Sequence, residues 1–98
     1  MANFKSESID RMFEIMNCLT TIEEYYDFFE DLCTVKEIQD MAQRLDTAIL
    51  LDEGESYNNI ASKVSVSTAT ISRVSKCLNY GSGGYRKAID KLKENKMV

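Results

Sequence analysis

The sequence has no histidine, no proline, only three cysteines and no long apolar run. Without histidine there is no histidine-based catalytic triad, no usual zinc site and none of the commonest general base. Cys18, Cys33 and Cys77 are odd in number, and no two stand in a Cys-x-x-Cys spacing, so they read as reduced, partly buried thiols. No stretch approaches the roughly 20 apolar residues of a membrane span. The first seven residues lack the apolar run of a signal peptide, so a soluble cytoplasmic protein is expected, with no membrane partner. Gly81-Ser82-Gly83-Gly84 lacks the preceding strand and the Gly-Lys-Ser/Thr ending of a phosphate loop, and reads as a linker. An enzyme is not expected.

Charge is present but unevenly placed. The net value of −4 by itself argues against nucleic acid. Residues 1–55 hold fourteen acids and four bases, a net of −10, while residues 56–98 hold two acids and eight bases, a net of +6. Such a split points to nucleic-acid contact by the basic half, with the acidic half facing away from the duplex. Solvation of the N-terminal helices would explain the acids, but not their near absence after Glu55.

Apolar residues recur at helical spacing. Ile9, Met12, Phe13, Met16 and Leu19 form one stripe. Ile22, Tyr25, Tyr26, Phe29 and Leu32 form a second. Val35, Ile38, Ala42, Leu45, Ala48, Ile49 and Leu51 form a third, and Tyr85, Ala88, Ile89 and Leu92 a last. Two short helices lie between the last two stripes, which predicts an all-α chain of about six helices. Thr20 with Glu23, and Thr34 with Glu37, fit capping boxes. Gly54 suits the left-handed end of the third helix, and Ser56 and Ser67 suit N-caps. Residues 79–84 read as a flexible connector. The aromatic residues of 25–29 go all round their helix, which suggests burial on more than one side, with a partner subunit as cover. The expected plan is one domain. Residues 1–54 are dimerisation helices, 56–78 a helix-turn-helix and 85–96 a C-terminal helix.

Residues 56–78 carry the one pattern with functional content. Ile60, Val64, Val66, Ile71, Val74 and Leu78 are spaced as the inward positions of a helix-turn-helix, and Ala61 is the small residue that admits the second helix. Ser65 stands in the turn where glycine is typical, in a left-handed conformation that serine adopts at some cost. The outward face is then Ser67, Thr68, Ala69, Ser72, Arg73 and Lys76. Ser67 and Thr68, at a helix N-terminus, suit a phosphate. Thr68, Ala69, Thr70 and Ser72 are short enough for close approach to a groove floor, and Arg73 suits a guanine edge or a phosphate. Lys63 and Lys76 suit phosphates, and Tyr57, Asn58 and Asn59 suit the backbone across the groove. The expected partner is a double-stranded DNA operator. The competing reading is an acidic, dimeric helical interaction module that binds protein and not specific DNA.

These residues resemble the Trp repressor superfamily, and within it the Trp-repressor-like proteins of the YerC/YecD type. The resemblance rests on Leu32-Cys33-Thr34 opening a long helix, Arg44 one-third of the way along it, Gly54-Glu55 closing it, and the run Ala69-Thr70-Ile71-Ser72-Arg73 followed by Ser75 and Leu78. It covers residues 32–78 in detail and the other helices by layout. The link from Gly54 to Ala69 is one residue shorter than in the tryptophan-binding members. The resemblance implies an intertwined homodimer whose two reading heads address half-sites about one helical turn apart, a DNA-binding transcriptional repressor. In tryptophan-responsive members two arginines sandwich the indole, and Arg44 and Arg73 match them, with Thr34 at the ligand's amino end. A tryptophan or other small-molecule corepressor is therefore conceivable. Those members have glycine where this chain has Val74, whose side chain would close or reshape the pocket.

Overall fold

The computed structural model describes residues 3–96. It contains six helices among them, α1 (Glu7–Asn17), α2 (Ile22–Leu32), α3 (Val35–Asp52), α4 (Tyr57–Val64), α5 (Thr68–Tyr80) and α6 (Gly84–Lys96). None is long and apolar enough to cross a membrane. The chain divides into two units, Met1–Ile38 and Gln39–Val98, so that α3 starts in the first and continues into the second.

Short polar side chains set most of the helix starts, because the first amides of a helix lack partners in the helix. Ser6, Ser56 and Ser67 each accept a backbone N–H from three residues on. Thr34 and Glu37 form the expected reciprocal pair, with the Thr34 N–H donating to the carboxylate at 2.8 Å and the Glu37 N–H to the hydroxyl at 3.1 Å. The other expected box is shifted by one residue. Thr21, not Thr20, caps α2, and its partner is Glu24, not Glu23. Both registers satisfy the Thr-x-x-Glu pattern. The observed one lets a single carboxylate oxygen accept the N–H and hydroxyl of Thr20 and of Thr21 together.

In the first unit, no residue of α1 or α2 is buried. Tyr25 stacks on Phe29, Phe28 meets Phe29 edge-on, and the Tyr25 hydroxyl donates to the Met16 carbonyl. Around these contacts Ile22 is 75% and Tyr26 is 74% exposed.

The second unit holds the core. Ala48, Val74 and Ile89 bring α3, α5 and α6 together, with Ile49, Leu51, Leu78 and Tyr85 packed around them. Ile60 and Ile71 are fully buried in α4 and α5. Each such isoleucine contributes about 1.5–3 kcal/mol through burial, a contribution that α1 and α2 lack. Thr47 is buried too, but its hydroxyl donates to the Gln43 carbonyl at 2.7 Å and so is satisfied. The thiols depart from expectation: Cys18 and Cys77 are exposed and only Cys33 is half-buried, and all three are free.

Two details tie this unit together. Gly54 takes φ of +86° after α3, where the N–H groups of Gly54 and Glu55 turn back to the carbonyls of Leu51 and Leu50. Asp52, with its side chain only 12% exposed, accepts from Arg86 and, at 2.8 Å, from Lys93. These two cations stand seven residues apart on one face of α6, so one carboxylate holds two turns of that helix. They keep the Asp52 carboxyl below its ordinary range, Lys93 most strongly and Arg86 next.

Two outcomes are expected. Asp52→Asn lowers stability at neutral pH by on the order of 1 kcal/mol, since both cations are substantially solvated. Because folding lowers the carboxyl's pKa, the stabilisation is present above the ordinary value of 3.8 and fades as pH falls below it. Urea midpoints of the two proteins should therefore converge in acid, and a constant gap would show that Asp52 acts through packing alone. Ser65, at φ 61°, occupies the left-handed region without being glycine. Ser65→Gly should raise stability by about 0.5–1 kcal/mol, and a lower midpoint would mean that the serine side chain holds the turn.

Candidate nucleic-acid interface

The helix-turn-helix is built by α4, a three-residue turn and α5. The Ser65 N–H donates to the Ala61 carbonyl at 3.0 Å, which closes α4, and the left-handed Ser65 then reverses the chain. Val66 is half-buried in the turn, and Ser67 starts α5 by accepting the Thr70 N–H at 3.1 Å. Ile60, Ile71 and Val74 are buried, while Ala61, Val64 and Leu78 are half-buried. All of these inward positions are as expected from the spacing.

The phase of α5 then decides what faces solvent. Ser67, Thr68, Ala69, Ser72, Arg73 and Lys76 are all exposed. Thr70 is half-buried, with its hydroxyl oxygen accepting from the Ser67 hydroxyl at 3.1 Å. Tyr57 and Asn58, in the first turn of α4, are exposed. No acid occurs from residue 56 through residue 89. Among the described residues, Arg73 and Lys76 make no ion pair.

Lys63 is placed differently. Its ammonium is paired with Glu55, which raises the lysine's pKa and lowers the glutamate's, and it lines a recess with Asp46, Glu53 and Val64. It thus sits among carboxylates and apart from the cations of α5. Arg86 and Lys93 are likewise held by Asp52. Three of the eight bases in the basic half are in this way engaged by carboxylates of the α3 end.

Arg44 and Arg73 line one cleft of about 230 Å³, together with Thr70, Val74, Cys77 and Tyr85. Val74 is 3% exposed and packs into the core with Ala48 and Ile89, yet it also forms part of the cleft wall. A recess thus remains beside the valine side chain. Arg44 and Thr70 also border a second, more polar recess with Asp40, Gln43, Ser65, Val66 and Ser67. Thr34 lies in the first unit, occupied in capping α3. Tyr85 and Cys77 were not anticipated as cleft residues. Tyr85 belongs to a core stripe by spacing, and Cys77 carries no motif, so only the packing of α5 against α6 reveals them.

These features have counterparts in known proteins. A family model described as Trp repressor protein matches residues 7–93. The uncharacterized protein YerC of Bacillus subtilis (strain 168) is 48% identical over 90 residues, which span 92% of this chain and 86% of that protein. The crystal structure of a TrpR-like protein from Eubacterium eligens ATCC 27750 superposes with a TM-score of 0.88 at 43% identity, covering 91% of this chain and 92% of that one. Match, identity and superposition each extend over nearly the whole chain, including α4, α5 and the turn between them. The chain is a member of the Trp repressor family, a family of DNA-binding regulators and not of enzymes.

Proposed function

We propose that this protein is a sequence-specific transcriptional repressor of the cytoplasm that binds a DNA operator as a homodimer through α4 and α5. The observation that carries the reading is the outward face of α5. Its side chains are short at the N-terminal end, cationic further along, free of any acid and exposed to solvent. Free amides at the start of a helix favour phosphate, and short residues allow the backbone to approach base edges. Thr68, Ala69, Thr70, Ser72 and Arg73 read the major groove in this proposal. Lys76, Ser67, Tyr57 and Asn58 hold phosphates on either side. Lys63 is the weakest of the assigned contacts, since a phosphate must compete with Glu55 for it.

The exposed apolar faces of α1 and α2 support the dimer. Ile22 and Tyr26, one turn apart, are both about three-quarters exposed, an arrangement that a soluble single chain rarely leaves uncovered. A two-fold dimer then places two copies of α5 on half-sites one helical turn apart, where a bound dimer excludes other proteins from the site. Val74 fills space next to the Arg44–Arg73 cleft that a glycine would leave open. In this proposal DNA binding needs no added tryptophan.

Selection of bound duplexes from a random pool, at physiological salt and with or without tryptophan, tests the proposal. A two-fold-symmetric motif enriched equally in both conditions is expected. No enrichment would favour the helical interaction module. Arg73→Ala should weaken binding to the selected duplex by roughly 5- to 150-fold, given about 1–3 kcal/mol for a good base contact, while Lys96→Ala should change it little. Equal losses would reduce the binding to diffuse electrostatics. Tyr26→Asp should give monomers or aggregates by sedimentation, and an unchanged dimer would remove α2 from the subunit interface.

A further inference from the structure

We infer that Tyr80, in the last turn of α5, is an additional DNA contact, its phenol donating a hydrogen bond to a backbone phosphate just outside the groove occupied by the first turn of α5. The inference rests on the DNA-reading proposal above and extends it.

The sequence pattern places residue 80 in a connector, but the helix runs through Tyr80 and stops immediately after it. The Gly81 N–H donates to the Cys77 carbonyl at 2.8 Å and closes the final turn. A Cβ at Gly81 would lie 2.3 Å from that same carbonyl oxygen, so glycine is what allows the chain to close and leave there. Tyr80 is therefore held at a fixed helical position.

That position lies on the reading face. Residues advance by about 100° along an α-helix, so Tyr80, three turns beyond Ala69 and one turn beyond Lys76, stands within about 40° of both. Tyr80 is 86% exposed, the highest value among the exposed large apolar residues. Among the described residues it makes no hydrogen bond, ring contact or ion pair. The exposed residues nearest it around the helix are Arg73, Lys76 and Cys77, none acidic, and the two cations offset the negative end of the helix dipole at this last turn.

Length selects the part of the DNA that is met. Tyr80 lies roughly 16 Å along the axis from Ala69, and the major groove is about 12 Å wide. With α5 crossing the groove and Ala69 at the base edges, the orientation this proposal takes, Tyr80 is carried past one wall of the groove. A phenol there meets phosphate and sugar, a contact that tyrosine makes without reading sequence.

The test is Tyr80→Phe, which keeps the ring and removes the hydroxyl, compared with the unaltered protein on its selected duplex. The expected result is a loss of affinity of roughly five- to tenfold, the same whatever bases flank the half-sites. Ethylation of one phosphate per half-site should weaken the unaltered protein but not the variant. Binding of Tyr80→Phe within twofold of the unaltered protein overturns the inference. So does a change in sedimentation mass of Tyr80→Ala without DNA, which would make Tyr80 a subunit contact. If the unaltered protein selects no duplex at all, the DNA-reading proposal fails first, and that outcome is visible before any variant is compared.

Discussion

The rest of the second unit depends on how Val74 of α5 seats against Ala48 of α3 and Ile89 of α6. Ala48 is fully buried, and Val74 shares its core cluster. Val74 and Ile71, three residues apart, then fix the rotation of α5 about its axis. A helix with two buried positions at that spacing has one orientation that keeps both from water. That orientation turns Ala69, Ser72, Arg73 and Lys76 outward. The same packing leaves Arg73, Arg44 and Tyr85 of α6 lining one cleft. Core and exposed cationic surface are opposite sides of one rotational choice.

Electrostatics sharpens the division. Asp52 lies in the last turn of α3, where the helix dipole disfavours an anion. Arg86 and Lys93 offset that penalty and in doing so lose their availability to an external phosphate. Glu55 does the same to Lys63. The acids at the end of α3 thus engage cations of α4 and α6 and leave those of α5 alone. The chain's net negative charge and its cationic helix face are compatible because the acids are placed to engage bases elsewhere.

Much of this was legible in the residues. Helical spacing located six helices, Ser56, Ser67 and Thr34 marked their starts, and Gly54 marked the end of the longest. These signals are local, and local geometry decides them. The misses have equally specific origins. Thr20-Thr21 followed by Glu23-Glu24 offers two capping registers, and only the chain path chooses Thr21 with Glu24. The sequence pattern ends α5 two residues early because the stretch from Gly81 to Gly84 dominates it, whereas the Gly81 N–H still completes a turn on Cys77. The pairing of Lys63 with Glu55 spans the loop between α3 and α4, and no spacing rule within one helix reports it. The cleft walls from Cys77 and Tyr85 depend on the way α6 returns to α5.

Val74 also bears on whether α5 needs a ligand to hold its orientation. With glycine at that position, the space between the paired arginines and the core would be open, and whatever filled it would help to set the rotation of α5. Here a covalent side chain with no freedom to leave occupies it, anchored by Ala48 and Ile89. β-Branched valine has one strongly preferred rotamer in a helix, so the filling is rigid as well as permanent. A cleft of about 230 Å³ persists beside it, but its valine wall is already part of the core. A molecule entering that cleft would therefore act on Arg44 and Arg73 at its rim, and would change the charge presented by α5 more readily than its orientation.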